Sequence, residues 1–271
     1  MRAAPMLPCN GDPRLCDRRI DEVVFATAHN GMSSQQAGFL LPNQPDGQLA
    51  QLEAGIRGFM LDVHPYDGKL ESESAKPYLC HQTCKLGATD LVAALVELRG
   101  WMQAHPREVI VIIFEDYVSE QVLDAALQAA ELLPHCLHVD PNQPMPTLGQ
   151  VIAKDQRLLL MTESGGGKLA WNHGYADLAF DTPYSAETPA DFSCAVLRGK
   201  PTNKLFVVNH FLTHLLDSHA LLAKQANHNP LLLDRVRQCE KERGRKANLL
   251  AVDWYSEGDV IATVRTLNGL D

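Results

Sequence analysis

A chain of 271 residues, 45% hydrophobic and 21% charged, is long enough to bury a substantial core in one large domain. Its net charge of −9 excludes a nucleic-acid or general anionic-membrane footprint. The longest apolar runs, such as VIVIIF (109–114), are far too short to cross a bilayer.

In chain order, MRAAPMLP (1–8) lacks the apolar centre of a secretory signal, so an exported form would have lost its leader. Residues 1–20, with Cys9 and Cys16, read as an N-terminal extension packed on a single domain spanning 1–271. Strands are predicted over EVVFATAH (22–29) and GFMLDVH (58–64), and Cys80 and Cys84 then close a second short loop. Helical spacing over 87–105 precedes a strand at 109–117, followed by helices at 119–133 and 147–155. Strands at 157–164 and 204–211, helices at 215–226 and 229–244, a strand at 248–255 and a helix at 258–270 complete the chain. The basic run 235–246 is interleaved with acids and reads as a solvated helix face. Trp171, Asn172 and His173 read as loop.

The seven cysteines fit local disulfides formed in an oxidising compartment, with Cys136 left free. Zinc is the alternative, but the spacings are not C-x-x-C. Near-continuous apolar strands alternating with amphipathic helices predict an α/β fold with a parallel sheet, a single barrel first and an open doubly wound sheet second. ESGGGK (163–168) lacks the phosphate-loop pattern, and HNGMSSQQ (29–36) lacks the glycine-rich turn of a dinucleotide site.

In an α/β barrel the carboxyl ends of the strands build the site. Those ends carry His29 and Asn30, Asp62 and His64, Glu115 and Asp116, Glu163, Asn209 and His210, and Asp253, with His81 close behind the second strand. Histidines and carboxylates with no serine elbow favour acid–base chemistry over a covalent intermediate. Asp253 is expected to fix the tautomer of a histidine. Asn30 and the carboxylates could also hold a hard divalent cation, or Asn30 could simply cap a turn. Arg57 is carried as a phosphate-binding candidate, although its place early in a strand favours a buried ion pair. Trp254 is carried as a sugar-facing ring, with core packing as the alternative.

CNGDPRLCDRRIDEVVFATAHN (9–30), QLEAGIRGFMLDVHPYDGKL (51–70) and YLCH (78–81), with VVNHF (207–211) and LLAVDWY (249–255), resemble the phosphatidylinositol-specific phospholipase C superfamily, nearest its PLC-like phosphodiesterase branch. The resemblance implies a distorted TIM barrel, His29 as general base, His81 as general acid and a cyclic phosphate product. His64, Glu163 and Asn209, at the strand ends, are the substrate-binding candidates set beside this resemblance. It also implies that His64 occupies the place of a bacterial arginine. Calcium in the eukaryotic enzymes would fall to Asn30, Asp62 and Glu115, with Met60 replacing a fourth ligand. The expected partner is a phospholipid or small phosphodiester, with peripheral membrane contact and a secreted or periplasmic location. The alternatives are a metal-dependent glycerophosphodiesterase or sphingomyelinase-D-like enzyme, which Met60 disfavours, and a non-catalytic phosphoinositide- or glycan-binding barrel.

Overall fold

The computed structural model describes residues 7–66, 76–213 and 219–271. The start of the expected helix 215–226 and the opening of the N-terminal extension lie outside the described residues. The elements begin with β1 (Phe25–Ala28), α1 (Gln48–Glu53), β2 (Gly58–Pro65), β3 (Pro77–Leu79) and β4 (Thr89–Asp90). They continue with α2 (Leu91–Ala104), β5 (Ile110–Asp116), α3 (Glu120–Ala129), α4 (Leu148–Ala153), β6 (Leu158–Thr162) and β7 (Asn172–Gly174). The last are α5 (Tyr175–Leu178), β8 (Ala179–Asp181), β9 (Leu205–Asn209), α6 (His219–Ala226), α7 (Leu231–Arg243), β10 (Leu249–Val252) and α8 (Val260–Leu267).

Eight strands pair in parallel in the order β7-β6-β5-β2-β1-β10-β9-β8, while β3 lies antiparallel to β2 and to β4. This is the expected α/β architecture, a curled parallel sheet forming a half-barrel. Successive side chains alternate between its faces. Phe25, Val111, Ile113, Leu159, Met161, Val207, Leu249 and Ala251 form an inner cluster, which the N-terminal Cys9, Leu15 and Ile20 join. Ala26, Phe59, Leu61, Ile112, Phe114, Leu160, Val208 and Leu250 face outward into a second cluster with the helices. Burying a side chain such as Phe59 or Phe114 stabilises the fold by roughly 1.5–3 kcal/mol.

The helices follow local chemistry. Asp90 caps α2 by accepting from Ala93 N–H at 3.1 Å, and Leu91, Leu95, Leu98 and Trp101 place its apolar face on the sheet. Helix α7 stops at Gly244, whose φ of 65° suits a residue without Cβ. Its expected solvated face is interrupted by Arg235, which is buried and donates to the carbonyls of Ser193 and Asn209. Asn172 and His173 belong to β7 rather than to a loop, because a three-residue strand leaves no readable alternation.

Disulfides join Cys9 to Cys16, Cys80 to Cys84 and Cys194 to Cys239, and Cys136 is free and buried. The third bridge ties α7 to the loop before β9 across a separation of 45 residues.

Among the described residues no ladder joins β7 to β8, and a charge bridge spans that seam. Arg198 reaches Asp181 at the end of β8 through Nη2 at 2.6 Å, and Glu163 just past β6 through Nη1 at 2.7 Å. Tyr175 donates its hydroxyl to Asp181 at 2.9 Å, and the guanidinium lies over its ring. Asp181 is fully buried, so its charge depends on Arg198. Arg198→Met should therefore lower the stability measured by urea unfolding by about 3–5 kcal/mol. A loss below about 1 kcal/mol would show that the seam holds without the bridge.

Candidate active site

The alternation that fills the barrel also delivers its polar groups. Two residues beyond Thr27 comes His29, two beyond Ala251 comes Asp253, and two beyond Ile113 comes Glu115. Met161 leads likewise to Glu163, and Met60 to Asp62. One face at the carboxyl ends therefore gathers the inward-pointing groups.

His29 is held on two sides. Its Nδ1 donates to Asp253 Oδ1 at 2.8 Å, and its ring stacks on Phe211 with centroids 3.7 Å apart. An ionised carboxylate only accepts, so the proton sits on Nδ1 and the lone pair of Nε2 is free. Asp253 also accepts from Asn43 Nδ2 at 3.2 Å on each oxygen. His219 Nδ1 lies 3.0 Å from Oδ2, at ion-pair distance though outside hydrogen-bonding alignment. Burial alone would raise the Asp253 pKa, but His29 and His219 outweigh it and hold the carboxyl at about 2. Burial also works against a charged His219, yet Asp253 raises its pKa above the usual histidine value.

His81 follows β3 by two residues and is half-buried. Burial, with the nearby charge of His29, lowers its pKa to about 4, so the free imidazole is neutral near pH 7. The N–H of Cys80, the residue before it, bonds the Asp62 carbonyl at 3.2 Å and so sets His81 beside the carboxyl end of β2.

The other side of the site is acidic. His29, Asn30, Met60, Asp62, Glu115 and Glu163 line one small cavity. Burial, then the charges of Glu115 and Glu163, push Asp62 up to about 8. Burial raises Glu163 as well, against the pull of Arg198. Asn30 adopts a φ of 46°, which asparagine tolerates better than most residues, and so turns the chain from β1 into the site. The oxygen donors Asn30, Asp62 and Glu115 suit a hard cation in kind. Among the described residues no three His, Cys, Asp or Glu side chains stand preassembled for a metal.

His64 stacks on Tyr117 at 4.1 Å, and Tyr117 donates its hydroxyl to Glu115. Burial lowers the His64 pKa, so near pH 7 it does not replace an arginine's fixed charge. Asn209 donates to the Thr182 carbonyl at 2.6 Å, and His210, one residue out of phase, is buried against Phe192 with Nε2 on the Ala226 carbonyl. Trp254 turns the chain at a φ of 47°, its N–H on the Asn43 carbonyl.

Arg57 is not part of this face. It opens β2 at the far end of the barrel, bonds Glu108 at 2.7 Å and lies over Trp101. The phosphate-binding expectation is therefore corrected to a partly buried ion pair. Asn43, His219, Arg198 and Asp181 went unnoticed in the sequence because three of them enter from loops or a helix start, where no period marks them. Asp181 ends a strand of only three residues.

Asp253 gives a pH-dependent test. Its folded pKa of about 2 lies below the roughly 3.9 of an unfolded aspartate. The stabilisation is thus fully present above about pH 4 and is lost as pH falls towards 2. The Tm difference between the wild type and Asp253→Asn should shrink across that window; a constant difference would refute the assignment.

The family model for the PI-PLC X domain (PI-PLC X 1) matches residues 15–268. A PI-PLC X domain-containing protein 1 of Arthroderma benhamiae is 28% identical, covering 97% of this chain and 90% of its own. An uncharacterized secreted protein of the same fungus is 25% identical over 95% of this chain, which spans 62% of that relative. A PI-PLC X domain-containing protein of Arabidopsis thaliana is 27% identical over 88% of this chain, which spans 59% of it. Among solved structures, a double mutant of the phosphatidylinositol-specific phospholipase C from S. aureus aligns over 94% of both chains at 13% identity and a TM-score of 0.60. With that fold, and with a family match over nearly its whole length, the chain belongs to the PI-PLC X domain family.

Proposed function

We propose that this protein is a phosphodiesterase of the phospholipase C type, acting on phosphatidylinositol or a related phosphodiester with a hydroxyl beside the phosphorus. The observation that carries this reading is the His29–Asp253 pair, with His81 held at the end of β2 by the Cys80 N–H on the Asp62 carbonyl. His29 Nε2 takes the proton of the substrate hydroxyl, and the freed oxygen attacks phosphorus. The phosphorus–oxygen bond to the alcohol breaks as His81 gives that oxygen a proton. The products are a cyclic phosphate and an alcohol, diacylglycerol if the substrate is the inositol lipid.

His81 must be protonated for its step. An anionic phosphodiester seated beside it favours the imidazolium and offsets the burial that lowers its pKa. Asn30, Asp62 and Glu115 would hold calcium, and the Asp62 pKa, raised by burial and then by the charges of Glu115 and Glu163, is what such an ion would lower. Such an ion would supply positive charge to balance the anionic phosphodiester. Three disulfides and a relative named as a secreted protein support an extracellular setting.

Phosphorus-31 NMR of phosphatidylinositol incubated with the protein should reveal a five-membered cyclic phosphate. His29→Ala and His81→Ala should each reduce its formation by about 10²–10⁴-fold. EDTA should abolish turnover and calcium restore it. No cyclic product in any lane would sink the reading for this substrate. For the wild type, the high-pH limb of kcat should lie above that of kcat/KM, because bound substrate raises His81. Coincident limbs would exclude His81 as the acid.

A further inference from the structure

We propose that the Cys80–Cys84 disulfide positions the general acid His81, an inference that rests on the acid–base reading above. The two histidines are held in different ways. His29 is fixed through its side chain, by Asp253 and Phe211. Among the described residues no hydrogen bond bears on the His81 imidazole, so its placement rests on its backbone and on local packing. That backbone is a closed ring. Cys80 and Cys84, four residues apart with Cα atoms at 4.9 Å, enclose His81, Gln82 and Thr83.

The ring is anchored at both ends. The Cys80 N–H donates to the Asp62 carbonyl at 3.2 Å, tying one end to the strand that floors the site. Beyond Cys84 the chain runs through Leu86, whose carbonyl accepts from Leu40 N–H at 2.8 Å, to Gly87. A Cβ on Gly87 would fall 2.4 Å from the Phe39 ring, so that close approach also fixes the far end. Inside the ring Thr83 N–H bonds the His81 carbonyl at 2.7 Å, and Gln82 takes a φ of 60°. Preceding it is only β3, three residues long and off the main run of parallel strands. Without the bridge, residues 80–84 would be held to one another, among the described residues, only by the Thr83 N–H bond to the His81 carbonyl.

The bridge contributes least where disulfides usually matter. Loop-closure restraint of the unfolded chain grows with separation, so Cys194–Cys239 at 45 residues constrains it most and Cys80–Cys84 at four constrains it least. Its effect is therefore local.

A general acid matters for a poor leaving group and little for a good one, which separates positioning from a merely structural role. Two substrates are compared, the butyl and the p-nitrophenyl esters of myo-inositol 1-phosphate, and the readout is the ratio of their turnover. Partial unfolding cancels in that ratio. His81→Ala sets the direction of the change. In Cys80→Ser/Cys84→Ser the butyl-to-nitrophenyl ratio should fall by about 10–100-fold. A second variant keeps the disulfide but has one glycine inserted between Gln82 and Thr83, and it should show the same selective fall. A ratio within about threefold of wild type in both variants overturns the proposal. An unchanged ratio in His81→Ala, or a wild type inert on both esters, overturns the acid–base reading itself and the proposal with it.

Discussion

A carboxylate that is almost completely removed from water must be paired, and Asp253 organises the carboxyl end of the barrel around that requirement. Its partners come from three separate segments: His29 past β1, Asn43 in the following loop and His219 at the start of α6. Neighbouring bonds reinforce the junction. Gln44 donates to the carbonyls of His29 and Val252, and Asn227 donates to the carbonyl of Asp253. Closing the loop after β1 over the barrel and setting the tautomer of His29 are thus one event. The same contact that satisfies a buried charge leaves Nε2 free to take a proton.

The site is electrically lopsided. Asp253 is compensated by histidines, whereas on the other side Glu163 has Arg198 as its cation, itself shared with Asp181, and among the described residues Asp62 and Glu115 have no such pair. Phosphate would meet repulsion there unless a positive group came with it. The fold thus carries acidic charge at the site beside charge needed for its own closure, and Arg198 serves the second need.

Much of this was legible in the sequence, through parity. Apolar residues at every second position run directly into His29, Asp62, Glu115, Glu163 and Asp253, so the inward set could be counted off the strands. The same count explains the exclusions: His210 is out of phase and turns toward the helices, and Arg57 sits at the wrong end of β2. Both short-range disulfides followed from spacing, and the odd count required a free cysteine, which is Cys136. What escaped was non-periodic. Asn43 and Arg198 reach the site from loops, His219 from a helix end, and β7 and β8 are too short to show alternation. Such placements depend on how distant segments meet, which no local window contains.

The unclosed seam has a bearing on how the molecule behaves among its own kind. An open sheet offers unpaired backbone that another chain can extend, a common route to association. Here both edge strands are only three residues long. On β8, Leu197 N–H donates to the Asp181 carbonyl and Asp181 N–H to that of Arg198, while on β7 Gly167 N–H donates to the Asn172 carbonyl. Gly166 lies so close to β7 that a side chain there would collide with the Gly174 nitrogen. The ESGGGK stretch, which lacks the phosphate-loop pattern, thus acts as a sheath: its missing side chains let the loop lie flat along the edge and deny a neighbouring molecule the template.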